Sequence, residues 1–221
     1  MGFKLVKLLS FMILIYIGIN CIQMGSTEKY SDFIEDYITN EIDEKQAKIY
    51  ERILEEKIQN TYLITTQYLV LGKLQLLISE KSKRETDIFL NKSRESLIKS
   101  ANTIPTNAEQ WALLGLIEKK DKKKLNYYIE KSLELGKFDE DNQRTLIRIV
   151  LSEWENLNEK NIRNSKEMLS HTLLYFKNGL ITLKSAVEKD KVEIIKDMLK
   201  ENWHFHNLKK FINEKNNKKS T

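Results

Sequence analysis

The sequence predicts an all-α protein, an apolar N-terminal segment followed by antiparallel helix pairs stacked side by side. Three observations carry that expectation. Seven glycines and one proline in 221 residues are far below ordinary usage, while Leu, Ile, Lys, Glu and Asn dominate. Apolar residues recur at three- and four-residue intervals along most of the chain, and no stretch shows the alternation of a strand. The connections between these stretches are short and polar, which sets successive helices antiparallel.

Composition narrows the functional classes. At 41% hydrophobic the chain can bury a real core. Its formal charge is +5, but Lys4 and Lys7 precede the apolar segment, so residues 25–221 hold 35 Lys+Arg against 32 Asp+Glu. Such a balance argues against a nucleic-acid partner. Cys21 is the single cysteine, which excludes an intrachain disulfide and any multi-cysteine metal site.

Residues 1–24 open the chain with a membrane signal. From Leu8 to Met24 there is no charge, a length at the short end for a span and long for the core of a cleaved signal peptide. No A-x-A site follows, so a retained signal anchor is the expectation and a cleaved signal peptide the alternative. Asn20 stands where a lipoprotein signal wants a small residue, which argues against lipidation of Cys21. Lys4 and Lys7 before the span, and Glu28, Asp32, Glu35 and Asp36 after it, place the N-terminus in the cytoplasm and the remainder outside.

Residues 25–60 form a membrane-proximal helical segment with an apolar stripe from Tyr30 to Ile58 that thins between Ile42 and Ile49. Residues 61–212 are expected as one helical domain. Its first helix, over 61–79, is apolar on nearly every side but broken by Lys73 and several amides and hydroxyls, as befits a central buried helix rather than a span. A helix over 85–101 makes a hairpin with it. Helices over 139–156, 159–176, 180–188 and 191–201 follow, with Asn178-Gly179 read as a turn. Trp203, Phe205, Leu208, Phe211 and Ile212 close the core, and residues 213–221 are a polar tail expected to fray.

Between these lies the most patterned stretch. Pro105 ends the preceding helix, and Thr106 with Glu109 has the spacing of a capping box. Trp111, Leu114 and Gly115 then stand at the W-x2-L-G spacing of the first helix of a tetratricopeptide repeat, which they resemble. That resemblance implies a right-handed stack of antiparallel helix pairs, with Trp111 in the core and Gly115 admitting a close neighbour. Tyr127, Lys131, Glu134 and Asp139 depart from the repeat at its later positions. The return helix ends at Gly136, read as a C-terminal cap. Five lysines among Lys119–Lys124 are expected in the solvated turn, complementing the end of the first helix, with polyanion binding as the alternative.

The order of residues from Ile129 to Asp139 and from Glu153 to Leu157, preceded by Pro105 to Trp111, is similar to the VpsP-like polysaccharide biosynthesis proteins of bacterial exopolysaccharide clusters. The likeness covers about residues 93–176. It implies a short membrane segment, a degenerate tetratricopeptide-like domain, and an accessory role in polysaccharide assembly or export through envelope proteins. It carries no catalytic residue and no cofactor. A chaperone-like assembly factor for a secretion or surface-appendage system is the alternative for the same architecture.

Chemistry is sparse. His204 and His206 form His-x-His, and His171 lies in another helix, with no evident further metal ligand. No G-x-S-x-G, H-E-x-x-H, Walker A or G-x-G-x-x-G sequence occurs. An unrecognised glycan-acting enzyme is the second alternative, working at carboxylates such as Glu109 and Glu118, although no carboxylate pair is specific enough to name as acid and base. For partner binding, Gln110, Gln143 and Arg144 are expected on the exposed face of the first helices.

Overall fold

The structure is a computed structural model and describes residues 43–59, 67–82 and 84–219. The apolar segment 8–24, the stripe from Tyr30 to Ile42 and residues 220–221 lie outside them. Every regular element among the described residues is a helix, and none of these helices is long and apolar enough to cross a membrane. They fall into two compact units divided between Thr103 and Ile104, inside the 61–212 span expected as one domain.

The first unit contains α1 (Glu44–Gln59), α2 (Gln67–Lys81) and α3 (Thr86–Thr103). As its all-round apolar sequence requires, α2 is buried along most of its length, against both α1 and α3. Leu54, Ile58, Val70, Leu74, Ile78 and Phe89 form this core. Gly72 lies where a Cβ would come within 2.7 Å of the Leu97 side chain, and its carbonyl accepts from Ser93 Oγ at 2.7 Å. The amides of α2 have a purpose too. Gln75 Nε2 donates to buried Glu51 at 3.1 Å, and Gln75 Oε1 accepts from Ser96. Lys92 Nζ reaches Glu51 at 2.9 Å and Glu55 at 3.5 Å. Burial works against the Lys92 charge, but Glu51 and then Glu55 outweigh it and hold the ammonium pKa above 10.5.

The second unit holds α4 (Ala108–Ile117), α5 (Lys122–Gly136), α6 (Glu140–Ser152), α7 (Glu159–Thr172), α8 (Phe176–Glu188), α9 (Val192–Ile195) and α10 (Asn202–Lys219). Short 3-10 turns lie between α6 and α7, at Trp154–Asn156, and directly after α9, at Lys196–Met198. Helices α4, α6 and α8 pack in one layer and α5, α7 and α9 in the other, while α10 covers α8. Between the layers Leu125, Ile129, Leu146, Ile147, Val150, Met168, Leu169 and Leu183 are fully buried. Each such side chain contributes roughly 1.5–3 kcal/mol of transfer free energy.

One local geometry recurs. In the connections leading into α4, α6 and α8, the N–H of the cap residue donates to the carbonyl three residues back: Asn107 to Ile104, Asp139 to Gly136 and Tyr175 to Thr172, each at 3.2 Å. The first two are reinforced in the same way, 32 residues apart. Gln110 and Trp111 donate to the carbonyls six residues behind them, Ile104 and Pro105, as Asn142 and Gln143 do to Gly136 and Lys137.

Several expectations need correction. Asn107, not Thr106, caps α4, its side chain accepting from Glu109 N at 3.0 Å, because Pro105 and Thr106 are taken up by the turn. Trp111 is half-buried rather than in the core, since its indole N–H is held by the turn carbonyl of Pro105 and its ring lies over Tyr128. Leu114 is buried and Gly115 faces Ile129 closely, as expected. Gly136 is no left-handed cap; it is helical, and a Cβ there would come within 2.6 Å of Ala108 Cβ. Asn178 and Gly179 lie inside α8 rather than in a turn, because the chain has already reversed over Leu173–Tyr175. Among the described residues the left-handed one is Asp190, at φ 56°. The helix α10 continues through residues 213–219, where fraying was expected, and Lys215 Nζ meets the Val187 carbonyl at 2.6 Å and Asp190 at 2.7 Å.

Candidate interaction surface

The connections into α6 and α8 and the start of α10 carry large apolar side chains where the connection into α4 has Pro105 and Thr106. Leu174 is 75% exposed, Phe176 61%, Phe205 54%, Phe138 50% and Tyr175 47%. These are not isolated rings. Phe138 stands 4.7 Å from the His171 ring, which stands 5.0 Å from Tyr175; Phe176 lies 5.2 Å from Trp203. An exposed run of neighbouring apolar side chains costs hydration free energy and marks a contact surface.

The row is held rigidly from behind. Gln143 Nε2 donates to His171 Nδ1 at 3.1 Å and to the Lys137 carbonyl at 2.9 Å, and Gln143 Oε1 accepts from Asn178 at 2.9 Å. That fixes the His171 ring under Phe138. Buried His204 accepts the N–H groups of Lys200 (3.2 Å) and Glu201 (3.1 Å) at Nδ1 and donates from Nε2 to the Leu173 carbonyl at 2.9 Å. Gly179 leaves the room in which the Trp203 ring rests, since a Cβ there would lie 2.5 Å from it.

Electrostatics distinguish the two ends of the row. Between the connections into α4 and α6 a hollow is lined by Thr106, Glu109, Asp139 and Asp141, with Asp139 next to Phe138 in the chain. Lys137 Nζ sits over the Phe138 ring at 5.0 Å and pairs with Glu167 at 2.7 Å. Arg144 offsets Asp141, and with Glu109 and Asp139 also lining it the hollow keeps a net negative character.

The residues expected to bind a partner are placed otherwise. Gln110 and Gln143 are fully buried, because their amides satisfy the turn carbonyls, and so cannot present a free head group. Arg144 is half-buried and pairs with Asp141 at 3.2 Å. Glu109 accepts from Thr145 Oγ1 at 3.0 Å, tying α4 to α6, and Glu118 meets Lys124 at 3.4 Å. Those two carboxylates sit at opposite ends of α4, about 13 Å apart along the axis, too far for the ~5–9.5 Å of a glycosidase pair. His206 is exposed, and among the described residues no group of three His, Cys, Asp or Glu side chains converges as metal ligands would. The sequence signal for the ring surface was the run Leu173–Phe176: four consecutive apolar residues cannot all face the core from one helix.

No family model, curated protein or solved structure matches the chain.

Proposed function

We propose that the chain is a non-enzymatic interaction protein of the bacterial envelope, an accessory or scaffold in exopolysaccharide biosynthesis or export. In this reading residues 8–24 anchor it to the cytoplasmic membrane with the N-terminus inside, and the second unit is a degenerate, right-handed tetratricopeptide-like stack presented outside. The ring surface docks an envelope protein through an extended segment bearing large apolar side chains and a basic residue. The apolar groups meet Phe138, Tyr175 and Phe176, and the basic one enters the hollow of Glu109, Asp139 and Asp141.

One observation carries the reading. Asn107 and Asp139 cap their helices by side-chain hydrogen bonds, whereas Tyr175, at the equivalent position of α8, makes none. An apolar ring in place of a cap forfeits about 1 kcal/mol, and it does so where the ring is exposed. Stability has been given up for surface chemistry.

The test is crosslinking in intact cells with a C-terminally tagged protein, followed by solubilisation and identification of partners. Glycosyltransferases, polymerase or export components are expected with the native chain and lost with Phe176→Ser. Tyr175→Asp should lose them too while raising thermal stability. Recovery of the same partners by all three proteins refutes the ring surface, and recovery of secretion or pilus components instead refutes the polysaccharide role.

A further inference from the structure

The α4–α5 connection, at the far end of α4 from the ring surface, holds the densest run of lysines in the second unit. Residues 118–124 hold five lysines against Glu118 and Asp121. Lys119, Lys120, Lys122 and Lys123 are all exposed, and none has an ion-pair or hydrogen-bonding side-chain partner among the described residues. Elsewhere Lys48, Lys92, Lys137, Lys160, Lys191 and Lys215 each meet a carboxylate.

The position is also wrong for helix stability. Lys122, Lys123 and Lys124 are the first three residues of α5, offset by the cap Asp121 and by Glu118, which meets Lys124 alone. The first turns of α1, α3, α4, α6 and α7 contain an acidic residue, as the helix dipole favours, and those of α2, α8 and α10 contain none. A first turn that carries three lysines, two of them without a side-chain partner among the described residues, breaks a local rule with little internal compensation.

Beside the lysines is a fixed panel of rings. Tyr127, exposed, follows Lys123 by one helical turn and precedes Lys131 by another. Its ring meets Tyr128 edge-on at 5.3 Å, and Tyr128 stacks on Trp111 at 6.1 Å, whose indole N–H is tied to the Pro105 carbonyl. Ammonium groups next to an immobilised ring match a ligand that alternates carboxylates with the apolar face of a sugar.

We propose that this connection binds an acidic polysaccharide, its uronate carboxylates on Lys119, Lys120, Lys122 and Lys123 and a sugar face on Tyr127. A nucleic acid fits less well. Its densely spaced phosphates would run on to the next connection of the same edge, where Glu153, Glu155 and Glu159 stand. The site does not depend on the ring surface or its partner.

The test uses the full-length protein in detergent, titrated with oligogalacturonate, neutral maltodextrin and single-stranded DNA over a salt series. Oligogalacturonate should bind, more weakly as salt rises, and maltodextrin should not. Lys122→Glu/Lys123→Glu should weaken binding at least about tenfold while melting at higher temperature, because its first turn now suits the dipole. Tyr127→Ala should weaken it with an unchanged salt slope, and Phe176→Ser should leave it intact. Oligogalacturonate binding that is absent, or unchanged in the double variant, overturns the site; DNA binding of equal strength overturns the glycan assignment.

Discussion

Replacing His204 by phenylalanine keeps a ring of similar size in a space that is 2% exposed and removes every polar atom from it. Three hydrogen bonds disappear: the buried one from Nε2 to the Leu173 carbonyl, and the two partly buried ones from the Lys200 and Glu201 N–H groups to Nδ1. Each backbone group left without a partner costs about 1–3 kcal/mol, so the sum is about 3 kcal/mol at the lower end. For a unit of this size that lowers Tm by roughly 10 °C. The loss falls on the α7–α8 turn and the start of α10, the segments that set Leu174, Tyr175 and Trp203. Urea melts followed by tryptophan fluorescence measure the total, and amide hydrogen exchange locates it. A change below about 1 kcal/mol, or one spread evenly over α4 and α5, would refute the latch role of His204.

Other consequences are as specific. Lys92→Met leaves Glu51 buried with only Gln75 donating to it; about 2 kcal/mol should be lost, less than for a wholly enclosed pair because Lys92 is partly solvated. Because the folded pKa of Lys92 is raised, its contribution is complete below pH 10.5 and fades as pH rises through the higher folded value; pH-dependent melts should show a larger alkaline loss in the native chain than in Lys92→Met, which keeps the raised Lys48 and Lys160. Gly179→Ala gains about 1 kcal/mol of helix propensity but drives a methyl into Trp203, for a net loss of about 1 kcal/mol by chemical denaturation and a shift in tryptophan emission. Asp190→Val should destabilise by about 1–3 kcal/mol in the same assay, whereas Asp190→Gly should be near neutral, relief of the left-handed backbone offsetting loss of the exposed Lys215 pair.

Long-range burial was legible in the sequence wherever it left a period. The apolar residues of α2 could only be satisfied on several sides, and α2 is buried between two partners. Leu114 and Gly115 face a second helix for the reason their spacing implies. Boundaries were less legible, because capping is decided by which of two neighbouring polar residues reaches an N–H, as with Thr106 and Asn107. Asn178-Gly179 reads as a turn from composition alone, but Asn178 lends its amide to Gln143 and Gly179 its missing Cβ to Trp203. The expected binding residues failed for a related reason. Gln110 and Gln143 are polar, so they suggest solvent, yet each supplies hydrogen bonds that a dry turn needs. Of the rings of the candidate surface, Phe205 was expected in the closing core and is 54% exposed, since hydrophobicity does not say which apolar groups a chain leaves outside.

The paired amides and indole that reach six residues back have an evolutionary consequence. Because Gln110 with Trp111, and Asn142 with Gln143, secure the turn immediately before their own helix, the instructions for each turn travel in the same short stretch of gene as the helix that follows it. Such a segment is a cassette. Copying or deleting one carries its own junction along, so the stack can change length between relatives without redesigning a bend, and surface residues such as Phe138 are free to diverge from one copy to the next.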